Sequence, residues 1–200
     1  MDYHPDFFAG AGSSCRANCE ERLAVLRRHV RGSSLLDIGC SGGYYSFGMR
    51  ERLPDVVAID EVPELVEGCL RVQEREGTDI DFRCVGLVEF LDSAVRRWDN
   101  VFYLSVHHHI VEQEGNAKAA ELLRRVSEVG DRLFFDMGQQ NEKRCQGHSW
   151  WRMLPSLGDA SQEDWLREYL LTNTVFTSAT VVGSSPIHGV RRMLWKLERG

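Results

Sequence analysis

Hydrophobic and polar positions change period along the chain, and each change marks an element. From Arg16 to Val30, Cys19, Leu23, Leu26 and Val30 recur at helical spacing. Leu35, Leu36 and Ile38 form a short apolar run of the kind that makes a buried strand, and an amphipathic segment from Tyr44 to Leu53 follows. Val56 to Ile59 reads as a second strand. Val62, Leu65, Val66 and Cys69 give a helix that stops near Gly77. Ile80 to Val85 is a third strand, and Val88, Leu91, Ala94 and Val95 form a helical face. Asn100 to Val106 is a fourth strand. A helix from Gly115 to Val129 turns Leu122, Leu123 and Val126 inward, and Asp131 to Asp136 is a fifth strand. Strands that alternate with helices specify an α/β fold, with a mostly parallel sheet covered on both faces.

The rhythm breaks over residues 137–161, which have no clean period. A loop of that length inside a compact domain is usually functional or mobile. Gln162 to Leu171 is helical again. Two β-rich runs, Thr174 to Val182 and Val190 to Leu197, flank the turn-rich Gly183–Gly189 and predict a C-terminal antiparallel hairpin. No repeat or internal boundary interrupts the pattern, so one domain is expected over residues 1–200. Residues 1–32 form an N-terminal segment and helix. Tyr3, Phe7 and Phe8 either cover a ligand cleft or belong to a mobile tail.

Composition narrows the class. With 42% hydrophobic and 27% charged residues in 200, the chain is an ordinary globular one, and no apolar run reaches the length of a membrane span. Met1-Asp2-Tyr3-His4-Pro5 lacks the basic-then-apolar order of a secretory signal. A formal charge of −6 weighs against binding duplex phosphates, although Arg27-Arg28-Arg31 and Arg191-Arg192 make local basic patches that read equally as solvated faces. None of the six cysteines forms a Cys-x-x-Cys pair. A reduced, cytoplasmic setting is the economical reading.

The candidate chemistry centres on Ser34 to Tyr45, Ser-Leu-Leu-Asp-Ile-Gly-Cys-Ser-Gly-Gly-Tyr-Tyr. Strand, glycine turn and helix let backbone approach a nucleotide-like ligand closely. A dinucleotide site, as in an NAD-dependent oxidoreductase, wants Gly-x-Gly-x-x-Gly. Counted from Gly39, its last glycine would be Tyr44, whose phenol holds the helix away. The stretch resembles motif I of the class I S-adenosylmethionine-dependent methyltransferases, an acidic residue followed by Gly-x-Gly-x-Gly. Gly39 and Gly43 take the outer glycine positions. Ser41 takes the middle one, where it is expected to keep a negative φ, with Gly42 adding slack. The resemblance covers nearly all of residues 33–198 and implies a Rossmann-like, doubly wound sheet finished by the hairpin.

The resemblance also implies S-adenosyl-L-methionine as cofactor, held by Asp37, Gly39, Cys40, Ser41, Gly43, Asp60, Glu61, Gly86, Leu87 and Ser105. Asp37 would orient the glycine turn. Asp60, ending the second strand, would accept both ribose hydroxyls, or else cap the helix before Val62. Gly86 and Leu87 match the adenine-contacting turn, and Ser105 with Val106 would line the donor's methionine end.

His107-His108-His109 admits three readings: a metal site with Asp136 or Glu142, a general base supplied by His107 or His108, or a structural role. Consecutive histidines lack ligand spacing, so no metal is expected. Leu104 to Val111 is similar to methyltransferases that finish bacterial surface polysaccharides. The His-His pair and Arg191–Trp195 are similar to wobble-uridine tRNA methyltransferases. Gln140, Glu142 and Trp150 in the irregular segment, a candidate lid over the acceptor site, suit a polar small molecule or saccharide better than a phosphate backbone. Methyl transfer to an O or N acceptor of that kind is expected. The alternatives are a tRNA-modifying methyltransferase and a non-catalytic module that binds the cofactor or a partner.

Overall fold

The structure, a computed structural model, describes residues 19–139, 142, 148–187 and 190–200. Helix α1 (Cys19–His29) leads into β1 (Ser34–Ile38), α2 (Tyr44–Met49), β2 (Asp55–Asp60), α3 (Pro63–Glu76), β3 (Asp81–Cys84) and α4 (Leu87–Ser93). There follow β4 (Asn100–Leu104), α5 (His107–Glu128), β5 (Arg132–Asp136), α6 (Trp150–Met153), α7 (Gln162–Thr172), β6 (Ser178–Ile187) and β7 (Val190–Glu198). The strands form one seven-stranded sheet in the order β3-β2-β1-β4-β5-β7-β6. The first five pair in parallel, while β7 runs antiparallel to both β5 and β6. The periodicity predicted a mostly parallel sheet and a C-terminal antiparallel hairpin, and both are present.

Burial explains the order. Every residue of β1 and of β4 is buried, as apolar runs in central strands must be. In β3 only Phe82 is buried, which suits an edge. Alternate residues feed two cores. Leu36, Ile38, Val57, Ile59, Tyr103 and Phe135 face α5 and α7, whereas Leu35, Ala58, Phe102, Leu104 and Phe134 face α1, α2 and α3. Helix ends follow local chemistry. α3 starts on Pro63 and ends at Gly77, whose φ of 60° lets its N–H reach Gln73 O. α7 starts where Ser161 Oγ accepts the Asp164 N–H at 3.1 Å.

Two helices differ from the periodic reading. In α4 the inward positions are Leu87, Phe90, Leu91 and Ala94, while Val88 is exposed and Val95, beyond the helix, is 98% exposed. The true face starts one residue earlier, and Phe90 decides it. The helix expected from Gly115 begins instead at His107, and Gly115 breaks it with φ 81° and ψ 164°. The added turns hide their period because a histidine, His107, occupies an inward position that pattern reading reserves for an apolar residue.

Candidate active site

The turn after β1 folds onto the end of β2. Gly39 N and Cys40 N both donate to Ile59 O, at 2.8 and 3.0 Å. Ser41 N donates to Asp60 Oδ2 at 2.8 Å, and Val62 N donates to Asp60 Oδ1 at 3.0 Å. Gly39, Ser41 and Gly43 all have left-handed φ, at 69°, 51° and 74°. The negative φ expected of Ser41 is thus corrected. Asp60 pulls its N–H and the Cys69 thiol donates to its carbonyl at 3.3 Å, so tertiary contacts hold a conformation that costs an L-residue about 1–2 kcal/mol. A Cβ on Gly43 would lie 2.9 Å from Phe47 and 3.0 Å from Cys69, so glycine there lets α2 and α3 close on the turn.

Asp37 is 3% exposed and accepts a hydrogen bond from Ser46 Oγ at 2.6 Å. Burial raises its pKa to about 6; the Ser46 hydrogen bond opposes the rise and the charge of Asp60 adds to it. Cys40 is buried among the α1–α3 core, so only its backbone faces the turn. Hydrogen bonding to Cys69 and burial raise the pKa of its thiol and keep it neutral. Glu61 is exposed beside Asp60, and Leu87 is half-buried behind Gly86 at the start of α4.

A second cluster, of which sequence reading saw only parts, lies at the carboxyl ends of β4 and β5. Ser105 sits at φ 59°, its N–H bonded to Asp136 O at 3.0 Å and its Oγ donating to Asp136 Oδ1 at 2.8 Å. Asp136 is fully buried and ion-paired with Arg22 of α1. From β7, Arg192 donates to Ser105 Oγ at 3.2 Å and forms a two-pronged pair with Glu142, at 2.9 and 2.7 Å. Glu142 also accepts Gln139 N at 3.0 Å. Arg22 and Arg192 were missed as site residues. The available signal was an arginine amid the inward positions Cys19, Leu23 and Leu26, and an Arg-Arg pair inside a predicted strand. Glu142, 1% exposed, anchors Arg192 and presents no free carboxylate to an acceptor.

The three histidines part company. His107 is fully buried, with Nε2 2.9 Å from the Tyr169 hydroxyl, which donates onward to Asn116 at 2.9 Å. Burial lowers its pKa to about 3. A ring enclosed by Tyr103, Phe135 and Tyr169 has a structural task, and the general-base reading of His107 gives way to it. His108 accepts Gly138 N on Nδ1 at 3.3 Å and packs on Trp150, 5.5 Å between ring centroids. His109 is exposed. Trp150, 1% exposed, belongs to the core beneath the histidines rather than to a surface that meets an acceptor. Gln140 lies outside the described residues. Among the described residues no group of three or more His, Cys, Asp or Glu side chains is placed to hold a metal ion, and no helix is long and apolar enough to cross a membrane.

Residues 35–130 match the family described as methyltransferase domain. That match, over about half of the chain, and the relatives below support a class I S-adenosylmethionine-dependent methyltransferase. It is 29% identical over 154 residues to the O-antigen chain terminator bifunctional methyltransferase/kinase WbdD of Escherichia coli, a match over 73% of this chain and 22% of that one. It is 28% identical over 129 residues to the ubiquinone biosynthesis O-methyltransferase of Idiomarina loihiensis, covering 61% of this chain and 50% of the relative. The chain therefore spans between about a fifth and a half of the length of these relatives. In structure it matches WbdD with a TM-score of 0.75 over 99% of this chain and 42% of the other, at 22% identity. The magnesium protoporphyrin IX methyltransferase of Synechocystis PCC 6803, solved with bound S-adenosylmethionine, matches with a TM-score of 0.63 at 16% identity, over 92% and 79% of the two chains. At those identities the structural likeness speaks for the fold.

The residues present fit such a cofactor. Each Asp60 oxygen accepts one backbone N–H and keeps a further lone pair for a hydroxyl. A Cβ added at Gly86 would meet nothing within 4 Å, so the space before that turn admits a flat ring, with Leu87 behind it. Gly39 approaches Val106 so closely that a Cβ would fall 2.5 Å from Val106 Cγ2. The glycine turn thus packs against the start of α5, at the carboxyl ends of parallel strands where ligands of such sheets bind.

Proposed function

We propose that this methyltransferase moves a methyl group from S-adenosylmethionine to an oxygen or nitrogen of a small molecule or saccharide. The observation that carries the reading is the Asp60 carboxylate, which pins the left-handed Ser41 turn while keeping lone pairs for a ribose. When bound, the cofactor supplies an electrophilic methyl group on a sulfonium. The chain's own residues do the rest. Asp60 would accept the ribose hydroxyls with Glu61 beside it, Gly86 and Leu87 would flank the adenine, and the backbone of Gly39, Cys40, Ser41 and Gly43 would cradle the methionine moiety. Asp37 would orient that turn and place a buried carboxylate near a cationic ligand. Ser105, held by Asp136 and Arg192, would form the floor between donor and acceptor. Rate would come chiefly from alignment within this cleft.

An acceptor side beyond β5, around Gly138, Gln139 and the residues following 148, is supported by the Glu142–Arg192 pair, which ties that segment to the floor. The net charge of −6 favours a small-molecule or saccharide acceptor over tRNA, and the names of the relatives accord with such acceptors. The free thiols of Cys40, Cys69 and Cys84 accord with a cytoplasmic setting. The test is a thermal-shift titration with S-adenosylhomocysteine and with NAD, then transfer of an isotopically labelled methyl group to phenols, amines and glycosides. Stabilisation by S-adenosylhomocysteine alone, with label in an acceptor, is expected. Stabilisation by NAD alone would sink the reading. Donor binding without transfer to any acceptor would leave a binding module.

A further inference from the structure

The histidine run holds more chemistry than a shared role allows. In His108, Nδ1 is occupied as acceptor of the Gly138 N–H, so a neutral ring must carry its proton on Nε2. Among the described residues that Nε2 has no partner, so it presents a fixed donor. A ring in that tautomer has no lone pair to offer an acceptor. His107 is sealed in the core by its Tyr169 bond. His109 differs from both. It sits in the first turn of α5 directly after Val106, which abuts the glycine turn. Its ring lies 4.3 Å from that of His108, centroid to centroid, and no hydrogen bond holds it among the described residues.

Ionisable groups from four parts of the chain act on His109: Glu61 after β2, Glu112 on α5, His148 ahead of α6, and Arg192 on β7. Glu112 in turn is bound by His148 Nδ1 at 3.2 Å and by Ser149. The two carboxylates are placed to favour a proton arriving on the ring. We propose that His109 takes the proton released by the methyl acceptor, while His108 presents its Nε2–H as a fixed hydrogen-bond donor to that acceptor. This rests on the methyltransferase reading above. As the acceptor's lone pair bonds the methyl carbon, the electron pair of the broken carbon–sulfur bond stays on sulfur. The O–H or N–H proton passes to His109 and then to water, so no further reactant is needed. Burial holds the His108 pKa at about 2, with His109, Arg192, His107 and His148 adding, so this ring stays neutral at any working pH. Burial lowers His109 below its ordinary value, with Glu112 opposing.

The first measurement is imidazole ¹⁵N NMR on the full chain with S-adenosylhomocysteine present, assigned with His108→Gln and His109→Gln. His109 should titrate with a midpoint below that of a free imidazole, and His108 should stay Nε2–H over the same window. A His108 that titrates in that window, or carries its proton on Nδ1, overturns the proposal, as does a His109 that never titrates. The second uses the acceptor labelled in the transfer screen. His109→Gln should lower kcat at least about 100-fold with KM within about threefold, and should abolish the fall of kcat at low pH seen in the parent. His108→Phe should lose at least about tenfold in kcat/KM, with His108→Gln recovering part of that loss. An unimpaired His109→Gln enzyme overturns the proposal. If S-adenosylhomocysteine does not bind at all, it is the methyltransferase reading that fails, and the NMR still decides the state of each ring.

Discussion

Gly39→Ala tests the close approach on which the cleft depends. Gly39 has φ 69°, where an L-residue pays about 1–2 kcal/mol in steric strain. The new methyl would also fall 2.5 Å from Val106 Cγ2, closer than real Cβ atoms come. Val106 is β-branched and half-buried, so it cannot swing aside freely. Overpacking of this kind costs about 1–3 kcal/mol, which brings the sum to about 2–5 kcal/mol. For a chain of this size that is a fall in Tm of about 4–20 °C. Two other glycines separate the contributions. Gly77 has φ 60° but nothing within 4 Å of an added Cβ, so Gly77→Ala should cost only the strain, about 1–2 kcal/mol. Gly86 has φ −72° and equally open surroundings, so Gly86→Ala should leave stability within about 0.5 kcal/mol. Its methyl would project into the space assigned to the adenine, and affinity for S-adenosylhomocysteine should fall at least about tenfold, or 1.4 kcal/mol. Urea denaturation of the three variants and calorimetric titration supply the numbers. If Gly39→Ala costs no more than Gly77→Ala, the Val106 contact is not tight. If Gly86→Ala binds like the parent, the adenine lies elsewhere.

Asp60→Ala should weaken S-adenosylhomocysteine by about 1.5–3 kcal/mol in the same titration, and unchanged affinity would remove Asp60 from the ribose. Glu142→Gln strips the charge that Arg192, 11% exposed, depends on, and should destabilise by about 3–5 kcal/mol in urea; a neutral result would mean that water replaces the partner. Trp150→Ala should behave as a core truncation, losing about 3–5 kcal/mol, and a stable variant that loses only turnover would return Trp150 to the acceptor surface. Asp37 has its pKa raised from 3.8 to about 6, so the folded state favours the protonated form. The stability this contributes is present below about pH 4 and is lost as pH rises through about 6. Asp37→Asn should therefore raise Tm more at about pH 8 than at about pH 4, and equal shifts at both would refute the burial argument.

Most of the fold was legible because its signal is local. A run such as Val56 to Ile59 that buries both faces must lie inside a sheet, and the hairpin announced itself through the turn residues between two β-rich runs. What misled was substitution of one residue type for another at an inward position. His107 fills a core site in α5 and hides two helical turns from periodicity. In α4 the exposed Val88 and Val95 mimic a buried face that Phe90 in fact provides. Ser41 adopts a backbone angle usually left to glycine because Asp60, nineteen residues away, holds it there.

The site divides along the same line. The proposed donor half is written in consecutive residues, since a tight turn after a strand must place its glycines in sequence, and Asp60 follows from the strand that pairs beside it. The proposed floor and acceptor half is assembled from α1, β4, β5, β7 and an irregular segment, through Arg22, Ser105, Asp136, Arg192 and Glu142. No spacing rule links positions 22 and 136, because only the closed sheet brings them together. Two buried arginine–carboxylate pairs there are costly to desolvate and would be replaced by apolar packing if stability alone were at stake. Between them stands Ser105 at φ 59°, a strained residue bonded to both pairs. Strain persists only where the surroundings over-determine it. The two ion pairs supply that determination, from α1 on one side and β7 on the other. This explains why the chain keeps charged residues in a core that hydrophobic ones would fill: they fix the one backbone position where donor and acceptor would meet.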